Sequence, residues 1–140
     1  MPILSITRLR LVETKQVFRF LKISQASIEQ ALRSDGLIAG QIGVEPLKSF
    51  WTVTLWEDQK SMLRFVGSGP HLEAMPKLAH LCCEAVVCHT EVESRSIPAM
   101  TQIADILGSH AKFAHVLRPS AWQSENRLRP LGWVLVRTFK

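Results

Sequence analysis

His71 is the first residue in this chain whose type and setting suggest chemistry. It follows Gly67-Ser68-Gly69-Pro70 and falls in the first turn of a predicted helix. A helix N-terminus carries partial positive charge, which disfavours the imidazolium and leaves a neutral ring near neutral pH. Such a ring can orient a substrate, accept a proton as a catalytic base or ligate a metal. A histidine at a helix start can equally cap or pack there. His89 shares a strand face with Ala85, Val87 and Glu91, so it belongs either to a pocket or to a sheet edge. His80 reads as a packed helix residue, and His110 and His115 as surface residues.

The candidate substrate-binding residues surround these histidines. Arg8 and Arg10 extend from one face of a first strand, where a guanidinium can hold a carboxylate or enolate, or join a salt bridge. Trp51, Trp56 and Phe65 offer flat apolar walls for an aromatic or polyene ligand, or else pack in the core. Glu57 and Asp58 are most simply helix-start residues. Cys82, Cys83 and Cys88 lack the paired Cys-x-x-Cys spacing of a structural zinc site and read as reduced thiols, so no metal is expected. No nucleophile elbow, phosphate loop or His-Glu-x-x-His run occurs, which weakens hydrolase, nucleotide-binding and zinc-protease readings.

The elements that must position these residues are legible in outline. Strand alternation over residues 3–12 places Leu4, Ile6, Arg8 and Arg10 on one face and Ile3, Ser5, Thr7, Leu9 and Leu11 on the other. Val17, Leu21, Ser24, Ile28 and Leu32 recur at helical spacing, supported by Ala31, and Asp35-Gly36 stops that helix. Strands follow at 37–45 and 49–56, joined by a turn at Glu45-Pro46-Leu47-Lys48. In the second of them Phe50, Thr52, Thr54 and Trp56 oppose Trp51, Val53 and Leu55. Asp58 caps a helix carrying Met62, Phe65 and Val66. Pro70 opens another helix, in which Pro76 predicts a kink or a fresh start. A strand at 85–92 and a helix at 98–116 complete the reading, with residues 117–140 unplaced.

The order is β-α-β-β-α-β, so the expectation is an α+β, ferredoxin-like domain over residues 1–93 with a four-stranded antiparallel sheet. Residues 94–140 form a partly helical C-terminal extension, packed on this domain or on a partner subunit. Helices cover one sheet face. The other would be bare, and an exposed apolar face is costly, so a homodimer is expected to cover it. The 140 residues suit this single-domain size. The +5 formal charge is dispersed with no basic run, so no nucleic-acid partner is expected. No apolar run nears the roughly 20 residues of a membrane helix and no secretion signal opens the chain, so a cytoplasmic location without membrane association is expected.

Phe50-Trp51-Thr52-Val53-Thr54-Leu55-Trp56-Glu57-Asp58, followed by Met62, Phe65, Ser68-Gly69, His71 and Ala74-Met75-Pro76, resembles a family of the dimeric α/β-barrel superfamily. That family is similar to spheroidene monooxygenase, a carotenoid-oxidising haem protein, and more distantly to antibiotic-biosynthesis monooxygenases. The likeness spans roughly residues 5–93. It implies a dimeric α/β barrel and monooxygenase-like, oxidoreductase chemistry on a small molecule, either without a cofactor or with haem. In haem-degrading relatives an axial histidine sits late in the helix after the Trp-Glu strand end. Here that place falls near Met75, with His71 one turn earlier. Methionine can ligate haem and can also fill core gaps. Two readings follow: a monooxygenase-like protein binding an apolar or aromatic molecule between sheet and helices, or a non-catalytic dimeric module binding a small molecule or haem. RNA binding ranks last, because the aromatic-rich strand lacks an RNA-recognition motif.

Overall fold

The computed structural model describes residues 1–46 and 48–140. Leu47, part of the turn read from the sequence, lies outside the described residues. In chain order the elements are β1 (Ile3–Leu11), α1 (Val17–Leu32), β2 (Leu37–Glu45), β3 (Ser49–Trp56), α2 (Gln59–Val66), α3 (Gly69–Leu81) and β4 (Cys82–Glu91), then α4 (Met100–His110), β5 (Lys112–Phe113), α5 (Ala121–Ser124) and β6 (Leu135–Thr138). All strands pair antiparallel, in the order β5-β4-β1-β3-β2-β6. The α+β class is as expected, but the described sheet has six strands rather than four, because the extension adds one short strand at each edge.

Local chemistry accounts for the boundaries. The carboxylate of Asp58 accepts the Ser61 amide at 2.8 Å and so caps α2. Gly36, at φ +91°, turns the chain out of α1 towards β2. A Cβ there would lie 2.4 Å from Ser61 Oγ, so a glycine is required on both counts. Three features differ from the sequence reading. α1 buries Phe20 and Ala31 and leaves Leu21 and Leu32 exposed, because Phe20 packs on Phe50 with ring centroids 4.6 Å apart. α3 runs through Pro76 as one helix with no fresh start, and β4 follows it directly at Cys82. The helix expected over 98–116 ends at His110, and Phe113 then pairs with Val86.

α1, α2 and α3 cover one sheet face. Leu9, Leu11 and Phe20 form one apolar cluster there, and Ile3, Leu37, Trp56, Met62 and Phe65 another. The opposite face is not bare. Leu4, Ile6, Trp51, Val53, Leu55, Val86 and Cys88 pack against Ile103 and Leu107 of α4, with Leu128 and Val134 alongside. The reason given above for a homodimer, an uncovered sheet face, is therefore met within one chain.

Candidate functional site

The sheet separates the sequence-predicted site residues into two groups. Ser5 stands opposite both His89 and Thr54, and Thr54 opposite Gly40. His89, Ser5 and Thr54 thus form a polar row on the helix-covered side, flanked by the row containing Ile3 and Trp56. Above it the break between α2 and α3 brings three rings together. Trp56 and Phe65 lie 5.0 Å apart, and Phe65 and His71 4.8 Å, between centroids. Trp56, itself fully buried, donates from Nε1 to Thr54 Oγ1 at 2.8 Å.

Gln30 of α1 holds the break in place. Its Nε2 donates to the carbonyls of Phe65 and Ser68, and its Oε1 accepts the His71 amide at 2.7 Å. The imidazole of His71 is itself fixed: Nδ1 lies 3.1 Å from the Val66 carbonyl. A carbonyl can only accept, so Nδ1 carries the proton and Nε2 keeps its lone pair. Burial holds the His71 pKa below the ordinary histidine range, and the bond to Val66 opposes this only in part. His89 is also held low, first by desolvation and then by the charges of Lys112 and His71, although its side chain remains exposed. Among the described residues, no group of three or more His, Cys, Asp or Glu side chains is placed to hold a metal.

The other predicted residues lie elsewhere. Arg8 and Trp51 are on the opposite sheet face, beneath the extension, so they do not share a site with His71. Arg8 is 4% exposed and makes a two-pronged pair with Glu45, Nε to Oε1 at 2.7 Å and Nη2 to Oε2 at 2.8 Å. Trp51 Nε1 donates to the same carboxylate at 2.7 Å. Burial raises the Glu45 pKa, but the bonds from Arg8, Gly132 and Trp51 outweigh it and leave it below the usual glutamate value. Met75 is 49% exposed on α3 and is not part of the Trp56–Phe65 cluster.

The sequence predicts a gap under the helix break, but Trp56, Phe65 and His71 meet there in direct ring contact. One cleft, of about 510 Å³, lies between α2 and the chain leaving α1 at Ser34 and Asp35, and reaches Phe65, Ser68 and Arg64. Another, of about 390 Å³, lies between Glu13, Arg19, His80 and Arg118. Sequence reading misses Ser5 and Thr54 as site residues, although strand alternation already set them beside Trp56. Nothing in the sequence marks Gln30, whose role depends on a contact 35 to 41 residues away.

This arrangement of helices on an antiparallel sheet is shared with several solved structures. Rv0793 from Mycobacterium tuberculosis is 14% identical and superposes with a TM-score of 0.61, matched over 69% of this chain and 100% of its own. A conserved protein from Methanosarcina mazei Go1 is 18% identical with a TM-score of 0.60, over 66% of this chain and 94% of its own. SnoaB, a cofactor-independent oxygenase from Streptomyces nogalater, is 13% identical with a TM-score of 0.56, over 70% of this chain and 98% of its own. At such identities the likeness concerns the fold. No family model and no curated protein sequence matches the chain. Among the described residues, no helix is long and apolar enough to cross a membrane.

Proposed function

We propose that this chain is a monooxygenase-like protein that binds an apolar or aromatic small molecule between the sheet and the α2–α3 break, where Phe65 and His71 must part to admit it, within a ferredoxin-like unit formed by residues 1–93. The observation that carries this reading is the His71 imidazole. It is kept neutral by burial, its Nδ1–H is committed to Val66, and its Nε2 has no hydrogen-bond partner among the described residues. Phe65 packs between it and the buried Trp56, so a ligand that parts His71 from Phe65 meets an aromatic surface. A flat enol or phenol lying on that surface would present its acidic O–H to Nε2, which takes the proton and leaves an electron-rich anion whose electrons pass to dioxygen as the oxidant. His89, Ser5 and Thr54 supply polar contacts along the sheet.

Haem fits these residues poorly. Met75 stands apart from the aromatic cluster, and the His71 ring is packed against Phe65 with centroids 4.8 Å apart. The closeness of the three rings supports the second reading, a non-catalytic module that binds the same class of molecule. The two are separated by titrating the full chain with polycyclic phenols while following tryptophan fluorescence, then measuring oxygen uptake. Saturable binding with uptake that fails in His71→Ala supports the enzyme. Saturable binding without uptake supports the module. No binding across the series refutes both.

A further inference from the structure

We propose that the cleft between the start of α1, the end of α3 and the extension is a further binding site, one that takes a small amphiphilic molecule with an oxyanion head and an apolar body. The cleft holds about 390 Å³ and is lined by His80 and Leu81 of the last turn of α3. His71 lies in the first turn of the same helix, so this site is separate from the aromatic cluster.

Segments distant in sequence build the cleft. The Val12 amide donates to the Leu81 carbonyl at 2.9 Å, and the Leu117 amide to the Ala79 carbonyl at 3.0 Å. The chain entering α1 and the extension are thus both tied to the end of α3 by backbone bonds. Val116 is buried in the cluster of Leu9, Phe20 and Leu81, and this anchor delivers Leu117 and Arg118 to the cleft. A concave site fixed in this way is formed before any ligand arrives.

Its lining has two chemistries. Val12, Leu81 and Leu117 are apolar, and Leu117 is left half-exposed. Arg19, His80 and Arg118 stand beside them. Among the lining residues Glu13 alone is acidic, and Lys15 already answers its charge at 3.0 Å. Arg118 stays 3.9 Å from Glu13 with its side chain 63% exposed, and Arg19 has no carboxylate within ion-pair distance among the described residues. Lys48 adds positive charge at one edge, its Nζ donating to the Val12 carbonyl at 2.7 Å. Positive charge therefore exceeds negative in a concave space, which focuses the field. A guanidinium fork grips a carboxylate or a phosphate through two parallel hydrogen bonds. A bare inorganic ion would leave the leucines wet, and an uncharged apolar molecule would leave both guanidiniums unused. An amphiphilic oxyanion satisfies both halves of the lining.

The test titrates the full-length chain with octanoate, octyl phosphate and uncharged octanol, following the Leu81 and Leu117 amides by heteronuclear NMR. One or both anions should shift these amides saturably, and octanol should not. Binding of a single anion supports the proposal and fixes the head group as carboxylate or phosphate. Arg19→Gln/Arg118→Gln should weaken that binding by about tenfold or more while the fold is kept, since both side chains are exposed. Arg33→Gln/Arg137→Gln removes two exposed arginines outside the cleft and should leave binding as it is. No saturable shift with either anion overturns the proposal. Equal binding of octanol does the same, because the guanidiniums would then play no part. An equal loss in Arg33→Gln/Arg137→Gln also overturns it, because net charge rather than the cleft would then be responsible.

Discussion

Replacing Arg8 by Met should expose how strongly the interior depends on one ion pair. Arg8 and Glu45 are both about nine-tenths or more buried, and the guanidinium supplies two of the hydrogen bonds that the carboxylate receives. Trp51 Nε1 and the Gly132 amide supply the rest. Without Arg8 a buried carboxylate keeps two neutral donors and no countercharge, and breaking such a pair costs roughly 3–5 kcal/mol. The freed carbonyls of Arg129 and Pro130 cost less, because that segment is reached by water. Adding Glu45→Gln to Arg8→Met removes the stranded charge while the amide oxygen still accepts from Trp51. The double variant should therefore be more stable than Arg8→Met alone by about 1–3 kcal/mol. Urea unfolding followed by both tryptophan fluorescence and circular dichroism measures this, coincident transitions confirming two-state behaviour. Trp51 is a direct reporter, with the Arg8 guanidinium 5.0 Å from its ring centre. A cost below about 1 kcal/mol for Arg8→Met, or strictly additive costs, would refute the reasoning.

His71→Ala should abolish phenol binding or oxygen uptake while lowering stability by no more than about 1 kcal/mol, the worth of its bond to Val66; binding and uptake both unchanged would remove His71 from the site. Gly36→Ala should lower the urea-derived stability by about 1–3 kcal/mol, since it combines a left-handed backbone with a clash on Ser61; a neutral effect would mean the turn relaxes freely. Acidification should destabilise the chain in two stages. The pKa of His71 is lower folded than unfolded, so the unfolded chain takes up its proton first, and stability falls as pH drops below the ordinary histidine value. Glu45 and Glu84 are also held low, despite burial, so their contribution is complete above the ordinary glutamate value and is lost as pH falls through their folded values. A flat thermal midpoint between pH 7 and pH 5 would contradict the first stage.

Much of the frame was readable before any coordinates. The bounds of β2 and β3 match the sequence reading, and the Asp58 cap is in place. Those signals are local: side-chain alternation, branched and aromatic content, and a carboxylate three residues ahead of an amide. Alternation also put Arg8 on one face of β1 and Ser5 on the other. Gathering Arg8, Trp51, Trp56 and His71 into one pocket went against that periodicity, and the register of β1 with β3 keeps them on opposite sides.

The α1 stripe shows the limit of a periodic pattern. Leu21 and Leu32 repeat at helical spacing with Ala31, yet Ala31 is buried beside Phe20 while the two leucines are exposed, because the choice between neighbouring stripes depends on what the sheet presents. The extension shows a second limit. Residues 117–140 carry weak local signals, and their placement comes from contacts as distant as Arg8 with Pro130 and Glu45 with Gly132.

The sequence by itself determined the α+β class of fold, the bounds of β2 and β3, the facing of β1 and β3 and the presence of a histidine at a helix start. Each of these follows from interactions within a few residues along the chain. Only the tertiary structure decided which histidine nitrogen is free, which residues Gln30 holds together, and that the chain covers its own open sheet face. Those outcomes depend on groups dozens of residues apart meeting at hydrogen-bond distance, and no local pattern specifies such a meeting.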